Sequence, residues 1–501
     1  MNGAEFMYDL SLNEKGISFK ELEKKIYKYA CDTACELMKS VLETLDQKLM
    51  VERDTKLYRN KGIRKTCVKT IMGDVEYSRR IYEIKQDDGR KVTKYLLDEY
   101  LNMDIIGNIS VNLTESILNN ITEVSYRKTS DNIKNMCNQE ISPQAVWNVV
   151  QTFGRGIAKL EDRKIELDQQ EALCGDKKVP VLFQEQDGLW LSIQRRADAK
   201  DKKKRAVKKE LKLGASYVGW KKRTGSNKEF ETVDKILCAS FKPVNHFKKL
   251  CNATINEVYN VDGISLRVLN GDGASWIKKS CEDNNIYFQL DPFHIAQAIT
   301  KNVKDKTQRK QLLKLFRKGE PDKGLEILKQ MLIEANNDEK EFKKLSNLYN
   351  YLSKNKEGLI PYKQRANIEI PSAPEGIEYR QMGTMESSIF STLAKRMKGR
   401  RMSWSVEGAD NLAKILCEQK NKRLSETVDK IYKNIIPESV LRDVIINTPL
   451  SAKKVDAGNN KPDIYPLKTA SIPYSSAAVT LGRKVIRNLC GLKDFGDLSY
   501  T

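Results

Sequence analysis

Short apolar runs, separated by charged and glycine-bearing segments, follow one another from about residue 178 of this 501-residue chain. Runs of this kind, rich in Val, Ile, Leu and aromatic residues, are typical of buried strands, and helical patterns lie between several of them. Strands that alternate with helices predict an α/β domain built on one sheet. The first run has the pattern of a strand pair, in which Asp187 and Gly188 end the first strand. The runs are VPVLFQEQDGLWLSIQ, KLGASYVGW, TVDKILCASF, ISLRVLNGDG and IYFQLD.

The N-terminal third of the chain carries a different pattern. From Ile17 to Met50, apolar residues recur near a period of 3.6, which predicts an amphipathic helix. The run TCVKTIMGDVEYSRRIYEI then places two strand-like arms around Gly73 and Asp74, which predicts a β-hairpin. We therefore expect a region of helix and hairpin over residues 1–110.

A helix-turn-helix pattern lies within residues 111–175. The stretch VSYRKTSDNIKNMCNQEISPQAVWNVVQTFG divides into two helices around a short polar turn, and Ser142 followed by Pro143 favours a helix start. In a DNA-binding motif of this kind the second helix lies in the major groove, with Gln144 leading the reading face. An ordinary helical hairpin, with the apolar residues of the second helix in a core, is the equal alternative.

The chain is strongly basic. Its 88 Lys and Arg residues exceed its 67 Asp and Glu residues by 21, so polyanions, and nucleic acid first, are the partners to expect. The segment EDRKIELDQQEALCGDKK, which ends the helical part, has the composition of a charged linker. A lysine run between two strands is usual in a solvated loop and also suits contact with DNA. The candidate DNA contacts are Arg127, Lys128, Gln144, Lys202, Lys203, Lys204 and Arg205.

Two further segments complete the organisation of the chain. Residues from about 296 onward are helical in pattern, dense in Lys and Glu and poor in Gly and Pro. We expect an all-α insertion over about 296–375, inside a catalytic domain that covers 176–425. Residues 426–501 have a mixed pattern to which the sequence assigns no role.

Cysteine and histidine usage excludes several classes of site. The ten cysteines form no C-x-x-C pair and His occurs twice, which argues against zinc fingers and zinc ribbons. No apolar run approaches the roughly 20 residues needed to cross a bilayer, and the N terminus does not resemble a signal peptide. We expect a reduced, cytoplasmic protein with no membrane partner.

Three acids in the α/β region stand at the ends of regular elements. Asp187 occurs in FQEQDGLWL, Asp272 in LNGDGA, and Glu386 in GTMESS at the start of a helix. An acid beside a glycine is by itself most often a turn or a helix cap, and Glu185, two residues before Asp187, is a rival ligand. Taken together, the three acids form an all-oxygen donor set that suits Mg²⁺, with Mn²⁺ as a substitute.

A pair of such ions supports phosphodiester chemistry. One ion activates the attacking oxygen and the other stabilises the leaving oxygen, so no covalent intermediate with a Ser, Tyr or Cys is needed. Gly271 and Gly273 on either side of Asp272 would leave space for a metal and a phosphate to approach it.

Several motifs occur in a fixed order along the chain. Together they resemble those of the ISLre-type insertion-sequence transposases, which belong with the Mutator-like DDE transposases of the ribonuclease H fold. The likeness covers most of the chain, since IMGDVEYSRRIYE and the helix-turn-helix segment also resemble the N-terminal part of that family. The motifs are EQDGLWL, NGDGASWIK, LDPFHIAQAI, MGTMESSIF and RMSWSVEGADNLAKI.

The resemblance implies a DDE triad of Asp187, Asp272 and Glu386, with Asp291 and His294 near the active centre as supporting residues and not as metal ligands. It implies an α/β fold: a ribonuclease H-like mixed-sheet catalytic domain with an all-α insertion, preceded by a mostly helical DNA-binding region. The implied activity is Mg²⁺-dependent cleavage at the ends of an insertion sequence and joining of the freed 3′-hydroxyl to target DNA. The implied partners are double-stranded DNA, as terminal inverted repeats and target, and further copies of this chain at the nucleoid.

Three other functions compete with this hypothesis. A ribonuclease H-like nuclease would hydrolyse DNA without joining it, and a non-catalytic helix-turn-helix regulator would bind DNA without needing Mg²⁺. A tyrosine recombinase would need a Tyr nucleophile with Arg and His activators, which two isolated histidines disfavour.

Overall fold

A computed structural model describes residues 17–86, 89–101, 108–194, 207–225, 229–281, 286–399 and 402–432. All of them belong to one compact unit, residues 3–448. The strands are β1 Arg59–Thr70, β2 Gly73–Lys85, β3 Lys91–Lys94, β4 Val181–Ile193, β5 Val207–Tyr217, β6 Gly219–Lys222, β7 Phe230–Val233, β8 Ile236–Ser240, β9 Leu266–Gly271 and β10 Ile286–Leu290.

The helices fall before, between and after these strands, and a π-helical turn, Phe390–Ala394, separates α13 from α14. They are α1 Phe19–Glu52, α2 Leu96–Tyr100, α3 Val111–Glu123, α4 Tyr126–Met136, α5 Pro143–Gln169, α6 Val244–Asn256, α7 Ser275–Lys278, α8 Pro292–Asn302, α9 Lys306–Arg317, α10 Pro321–Glu334, α11 Glu339–Lys354, α12 Lys356–Leu359, α13 Met385–Ile389, α14 Lys395–Met397, α15 Val406–Lys420 and α16 Leu424–Tyr432.

The predicted N-terminal helix and hairpin are both present. Helix α1 begins at a capping box, in which Ser18 Oγ accepts from the Glu21 backbone N–H and the Glu21 carboxylate accepts from the Ser18 N–H. Strands β1 and β2 pair antiparallel around a turn at Gly73, whose φ of +137° favours glycine. Asp46 of α1 accepts from the backbone and the guanidinium of Arg80, which ties the helix to the hairpin.

A five-stranded mixed sheet forms the centre of the α/β region, in the order β10-β9-β4-β5-β8. Strands β4, β5 and β8 pair antiparallel, whereas β4, β9 and β10 run parallel. Parallel strands place their carboxyl ends at one edge, where a ligand site in an open α/β sheet usually lies.

The first strand of this sheet corrects one prediction. Residues 181–193 form a single strand and not a strand pair, so Asp187 and Gly188 lie in its interior. The glycine has a cross-strand reason: a β-carbon at Gly188 would lie 2.1 Å from Glu210 Oε1 on β5. The residue therefore makes room for a neighbour and does not form a turn.

The charge-rich segment after residue 160 corrects a second prediction, that of a linker. Helix α5 continues to Gln169, so the first half of the predicted linker is helical. Glu161 and Ile165 on this stretch are buried, and Glu161 pairs with the fully buried Lys414 of α15. A charged residue that has a distant partner is compatible with a packed helix face.

The largest hydrophobic core joins the helices before the sheet to the sheet itself. Ile117 of α3 and Phe153 of α5 share it with Leu191 and Leu213 of the sheet and with Leu412 of α15. A second core holds together the helices between β10 and α13, with Leu312, Leu328, Leu348 and Leu352 fully or almost fully buried.

Candidate metal centre

Strand register brings three aspartates to the same level of the sheet. Gln186 of β4 pairs in parallel with Gly271 of β9, and Gly271 pairs in parallel with Leu290 of β10. Each of these three residues is followed by an aspartate: Asp187 within β4, and Asp272 and Asp291 directly after the ends of β9 and β10. Adjacent parallel strands lie about 4.8 Å apart, so the register alone makes these three residues neighbours.

Helices α8 and α13 add a histidine and a glutamate to this edge. His294 lies in the first turn of α8 and Glu386 in the first turn of α13. His294 Nε2 is 3.2 Å from Glu386 Oε1 and 3.6 Å from Asp187 Oδ2. One potential ligand atom from each of the three residues lies within 4.8 Å of the other two, which makes them a candidate metal centre among the described residues.

The donor atoms suit a divalent cation. Both Glu386 oxygens are buried, and neither accepts a hydrogen bond of normal geometry from a described residue, so their contact with His294 is an ion pair. Unsatisfied buried carboxylate oxygens are costly without a cation. The two carboxylates offer the oxygen donors that Mg²⁺ and Mn²⁺ prefer, whereas an imidazole is a ligand only in its neutral form.

His294 supplies positive charge to this group. Burial lowers the pKa of the His294 imidazole, but its contacts with Asp187 and Glu386 outweigh burial and raise that pKa to about 10. The imidazole is therefore protonated at neutral pH and acts as an ion-pair partner of the two carboxylates. A cation held by the same oxygens would compete with it.

Asp272 lies beside this group but is not a member of it. Its Oδ1 accepts from the Ala274 N–H at 2.8 Å, and its carbonyl oxygen accepts from Tyr351 Oη at 2.8 Å. Gly273 has a φ of +85°, and a β-carbon there would lie 2.7 Å from Asn355 Oδ1. The expected role of this glycine, to make space for a metal and phosphate, is therefore replaced by a left-handed turn and a close side-chain contact. A β-carbon at Gly271 would likewise meet Ile277 Cδ1 at 2.8 Å.

Glu185, the rival ligand, lies outside the candidate metal centre. Its carboxylate is fully buried and accepts hydrogen bonds from the Thr384 backbone N–H at 2.9 Å, from Thr384 Oγ1 at 3.0 Å and from Tyr217 Oη. A weaker bond from the Gly383 N–H, 3.4 Å long, adds to them. Because Thr384 lies two residues before Glu386, Glu185 fixes the loop that presents Glu386.

Asp291 fixes the start of helix α8, as Glu185 fixes the loop before Glu386. Its Oδ1 accepts from the Phe293 N–H at 2.7 Å as the N-cap of α8, and its Oδ2 accepts from Asn270 Nδ2 at 2.7 Å. Burial, together with the charge of Glu386, raises the pKa of Asp291 to about 7. Asp291 thus positions the helix that carries His294.

Lys235 is a further residue that sequence reasoning missed. Its ammonium donates to Thr384 Oγ1 at 3.3 Å and to Ser388 Oγ, so it bridges the loop and the helix around Glu386. Burial lowers the pKa of this lysine. No motif in the sequence marks it, because its partners lie about 150 residues further along the chain.

The candidate DNA contacts lie apart from the carboxylates in sequence and on different elements. Arg127 and Lys128 are exposed in the first turn of α4, and Gln144 is exposed at the start of α5. The predicted start of α5 is confirmed, since Ser142 Oγ accepts from the Ala145 N–H at 3.1 Å. The lysine-run candidates lie outside the described residues: Lys202, Lys203, Lys204 and Arg205.

The face of α5 is divided between a core and the surface. Val146 and Val150 are fully buried, whereas the Trp147 side chain is 41% exposed. In the part of the chain that the structure describes, no helix is both long enough and apolar enough to span a membrane.

The chain is similar to known proteins in sequence. A UPF0236 protein of Caldanaerobacter subterraneus subsp. tengcongensis is 25% identical over 416 residues, which are 82% of this chain and 80% of the relative. The UPF0236 protein in the vanSb 3′ region of Streptococcus gallolyticus is 21% identical over 468 residues, 91% of this chain and 93% of the relative.

Among solved structures, the Drosophila P element transposase strand transfer complex aligns with 65% of this chain and 80% of its own, at 10% identity and a TM-score of 0.23. The model of the uncharacterised protein family UPF0236 matches residues 12–433. Because that match spans most of the sequence, the chain belongs to the UPF0236 family.

Proposed function

We propose that this protein is a DNA transposase of an insertion sequence, which cuts the element ends and joins them to target DNA by metal-dependent phosphodiester chemistry. The observation that carries the proposal is the cluster of Asp187, His294 and Glu386. Asp272 is proposed to join it, since the pairing of Gln186 with Gly271 sets Asp272 beside Asp187. These acids come from segments about 85 and 115 residues apart in sequence.

The donor chemistry supports this assignment. Asp187, Asp272 and Glu386 are proposed to hold Mg²⁺, or Mn²⁺ in its place, since hard cations prefer carboxylate oxygens. When bound, such ions activate an attacking oxygen and stabilise the leaving oxygen of an in-line displacement. Asp291 and His294 are proposed as supporting residues: Asp291 fixes the start of α8, and protonated His294 can donate to a phosphate oxygen or to a carboxylate.

The architecture gives further support. An antiparallel β4-β5-β8 unit continued by parallel β9 and β10 suits a ribonuclease H-like catalytic domain, proposed for residues 176–425. Helices α9 to α12 lie between Asp272 and Glu386, where the all-α insertion is proposed at about 296–375. The formal charge of +21 suits a DNA partner.

DNA recognition is proposed for the region before the sheet. Residues 111–175 are proposed to recognise element ends through the exposed starts of α4 and α5, which carry Arg127, Lys128 and Gln144. The helix and hairpin of residues 1–110 are proposed to assist. Action on two ends in one event favours several copies of this chain on DNA, at the nucleoid.

The decisive test uses the purified full-length chain with the DNA that flanks its own coding region. Cleavage at the element ends and joining of the 3′ ends to a second duplex should require Mg²⁺, and Asp272→Asn should abolish both while DNA binding persists. Hydrolysis without joining would identify a nuclease. Binding that is indifferent to Mg²⁺ and to neutralisation of all three acids would identify a regulator instead.

A further inference from the structure

A large cavity opens beside the candidate metal centre. Its volume is about 670 Å³, which lies inside the range of about 300–1,000 Å³ typical of small-molecule sites. The start of α8, helix α9 and the loops before α13 form its walls, with Leu313, Phe316 and Met382 among the apolar lining residues.

Two lining residues place the cavity next to the acids. Phe293 directly precedes His294, and its backbone N–H donates to Asp291 Oδ1 at 2.7 Å. Gly383, another lining residue, is close to the same oxygen, since a β-carbon there would lie 3.8 Å from Asp291 Oδ1. A molecule in this cavity would therefore adjoin the group formed by Asp187, His294 and Glu386.

The ring of Phe293, one of the lining residues, is accessible to solvent. The Phe293 side chain is 48% exposed although it lies in the first turn of a packed helix. Its ring meets the His294 ring edge to face, with centroids 5.6 Å apart and planes at 89°. An aromatic ring that is about half exposed offers a surface on which a planar base stacks.

Charge in the cavity is of one sign. None of the described lining residues is acidic, whereas Arg317 and Lys363 are basic. Arg317 is exposed at the end of α9 and pairs with no acidic side chain among the described residues. The exposed amides of Gln364 and Gln381 can both donate and accept hydrogen bonds at a base edge.

We propose that this cavity takes an unstacked nucleobase of the DNA strand whose neighbouring phosphate lies toward the candidate metal centre, with Phe293 as the stacking platform. The proposal rests on the proposed function for the identity of the strand. An aromatic platform combined with cationic side chains is the general means by which proteins hold unpaired nucleotides. The base would be anchored while the acids act on the adjoining phosphodiester.

The test measures binding of the full-length chain to two single-stranded DNA probes of equal length and charge, without added divalent cation so that no strand is cut. One probe is oligothymidine, and the other is the same backbone made of abasic residues. Wild-type protein should prefer the oligothymidine by roughly tenfold, in line with stacking of one base. Phe293→Ala should remove the preference, and Phe293→Trp should keep it.

A matched control is Phe342→Ala, which removes a Phe that is 42% exposed on α11 and does not line the cavity. That variant should bind both probes as the wild type does. Ultraviolet cross-linking of a strand that contains 5-iododeoxyuridine should label the peptide that carries Phe293 in wild-type protein. This second measurement stands even if a substitution at Phe293 disturbs folding.

Several outcomes would overturn the proposal. They are equal loss of preference in Phe342→Ala, cross-links confined to other peptides, an equal Phe293-dependent preference for a uridine RNA strand, and tight binding of free thymidine monophosphate in place of the strand. Since none of these measurements involves cleavage, their failure is distinct from a failure of Mg²⁺-dependent cutting and joining.

Discussion

Glu185 and Asn270 face each other across the parallel pairing of β4 and β9, with Asn270 Nδ2 3.4 Å from Glu185 Oε2. Glu185 holds Thr384, and the same Asn270 amide donates to Asp291 at 2.7 Å. A single buried polar chain therefore fixes both segments that carry the metal-site side chains. Groups that orient metal ligands in this way often control metal affinity as strongly as the ligands do.

Replacement of Glu185 by Gln should weaken divalent-cation binding. The amide keeps one acceptor oxygen and turns the other into an N–H donor, so it cannot accept from the Thr384 N–H, Thr384 Oγ1 and Tyr217 Oη together, and the loop before Glu386 is held less firmly. We expect a loss of roughly 10- to 100-fold in Mn²⁺ affinity. Electron paramagnetic resonance of free Mn²⁺ measures it directly.

The control for that variant is Glu161→Gln, which removes a different buried carboxylate, the partner of Lys414 between α5 and α15. Both variants should melt at lower temperature than the wild type. Unchanged Mn²⁺ affinity in Glu185→Gln, or an equal loss in Glu161→Gln, would contradict the positioning role.

Cation binding should strengthen as pH rises above neutrality. The pKa of His294 is raised to about 10 because Asp187 and Glu386 hold its proton, and that imidazolium competes with a cation for the same oxygens. Mn²⁺ affinity should therefore increase between about pH 7 and 10, with proton release. In His294→Asn the increase should flatten, and an equally steep profile in that variant would exclude His294 as its source.

Asp291 should make the folded state less stable as pH rises. Burial, followed by the charge of Glu386, raises its folded-state pKa to about 7, above the unfolded value of about 3.9. Between these values the folded chain binds the extra proton, so this contribution is present below about pH 4 and is lost as pH passes 7. Urea denaturation at pH 5 and pH 8 should show a smaller difference in Asp291→Asn. Asp305→Asn, at the exposed N-cap of α9, should keep the wild-type difference.

Helix α5 should tolerate no side chain at Gly154. A β-carbon there would lie 2.3 Å from Asn411 Cβ and 2.7 Å from Asn411 Cα on α15, so the two helices would have to separate. We expect Gly154→Ala to cost about 1–3 kcal/mol in urea denaturation. Gly156→Ala meets the Ile431 Cδ1 methyl at 2.9 Å, and a gain of about 1 kcal/mol in helix propensity offsets that contact. Equal effects of the two substitutions would argue against this packing.

DNA binding should depend steeply on salt. A chain with a formal charge of +21 that contacts phosphates displaces counterions, so affinity falls as salt rises. Arg127→Ala and Lys128→Ala should each reduce the slope of log affinity against log salt by about 1. Filter binding between low and physiological salt measures this, and a flat response would contradict a phosphate-contacting surface.

Much of this architecture is accessible to sequence reasoning because it follows local pattern. The strand-like runs and the helix start at Ser142 depend on nearby residues, and the structure contains them. The sequence also singles out Asp187 and Asp272, since each follows an apolar run and precedes a Gly, although Asp187 lies inside β4 and not at its end. The interior position of Gly188 could not be read in this way, because its reason is Glu210 on another strand.

The polar network behind the candidate metal centre could not be predicted from the sequence, because it also depends on residues from distant parts of the chain. Period-two alternation puts Glu185 and Asp187 on one face of β4, yet it cannot say which of them a distant loop will cover. The loop before Glu386 lies about 200 residues away, and its Thr384 N–H donates to Glu185. Likewise, the charged residues of EDRKIELDQQ predict a solvent-exposed segment, because the sequence does not show that Lys414 pairs with Glu161.

Helix α5 has 27 residues, is about 40 Å long and contacts its neighbours at several points. Three polar contacts hold α5 in place. Its Gln151 accepts a hydrogen bond from Asn411 at 2.9 Å, and its Glu161 forms an ion pair with Lys414. Its Asp162 accepts a hydrogen bond from Lys242 at 2.7 Å. Its exposed start, with Gln144, is thereby held at a constant separation from the sheet edge that carries the acids. If DNA is bound both at the start of α5 and at the acids, the length of this helix sets the number of base pairs between the recognised sequence and the cut phosphate.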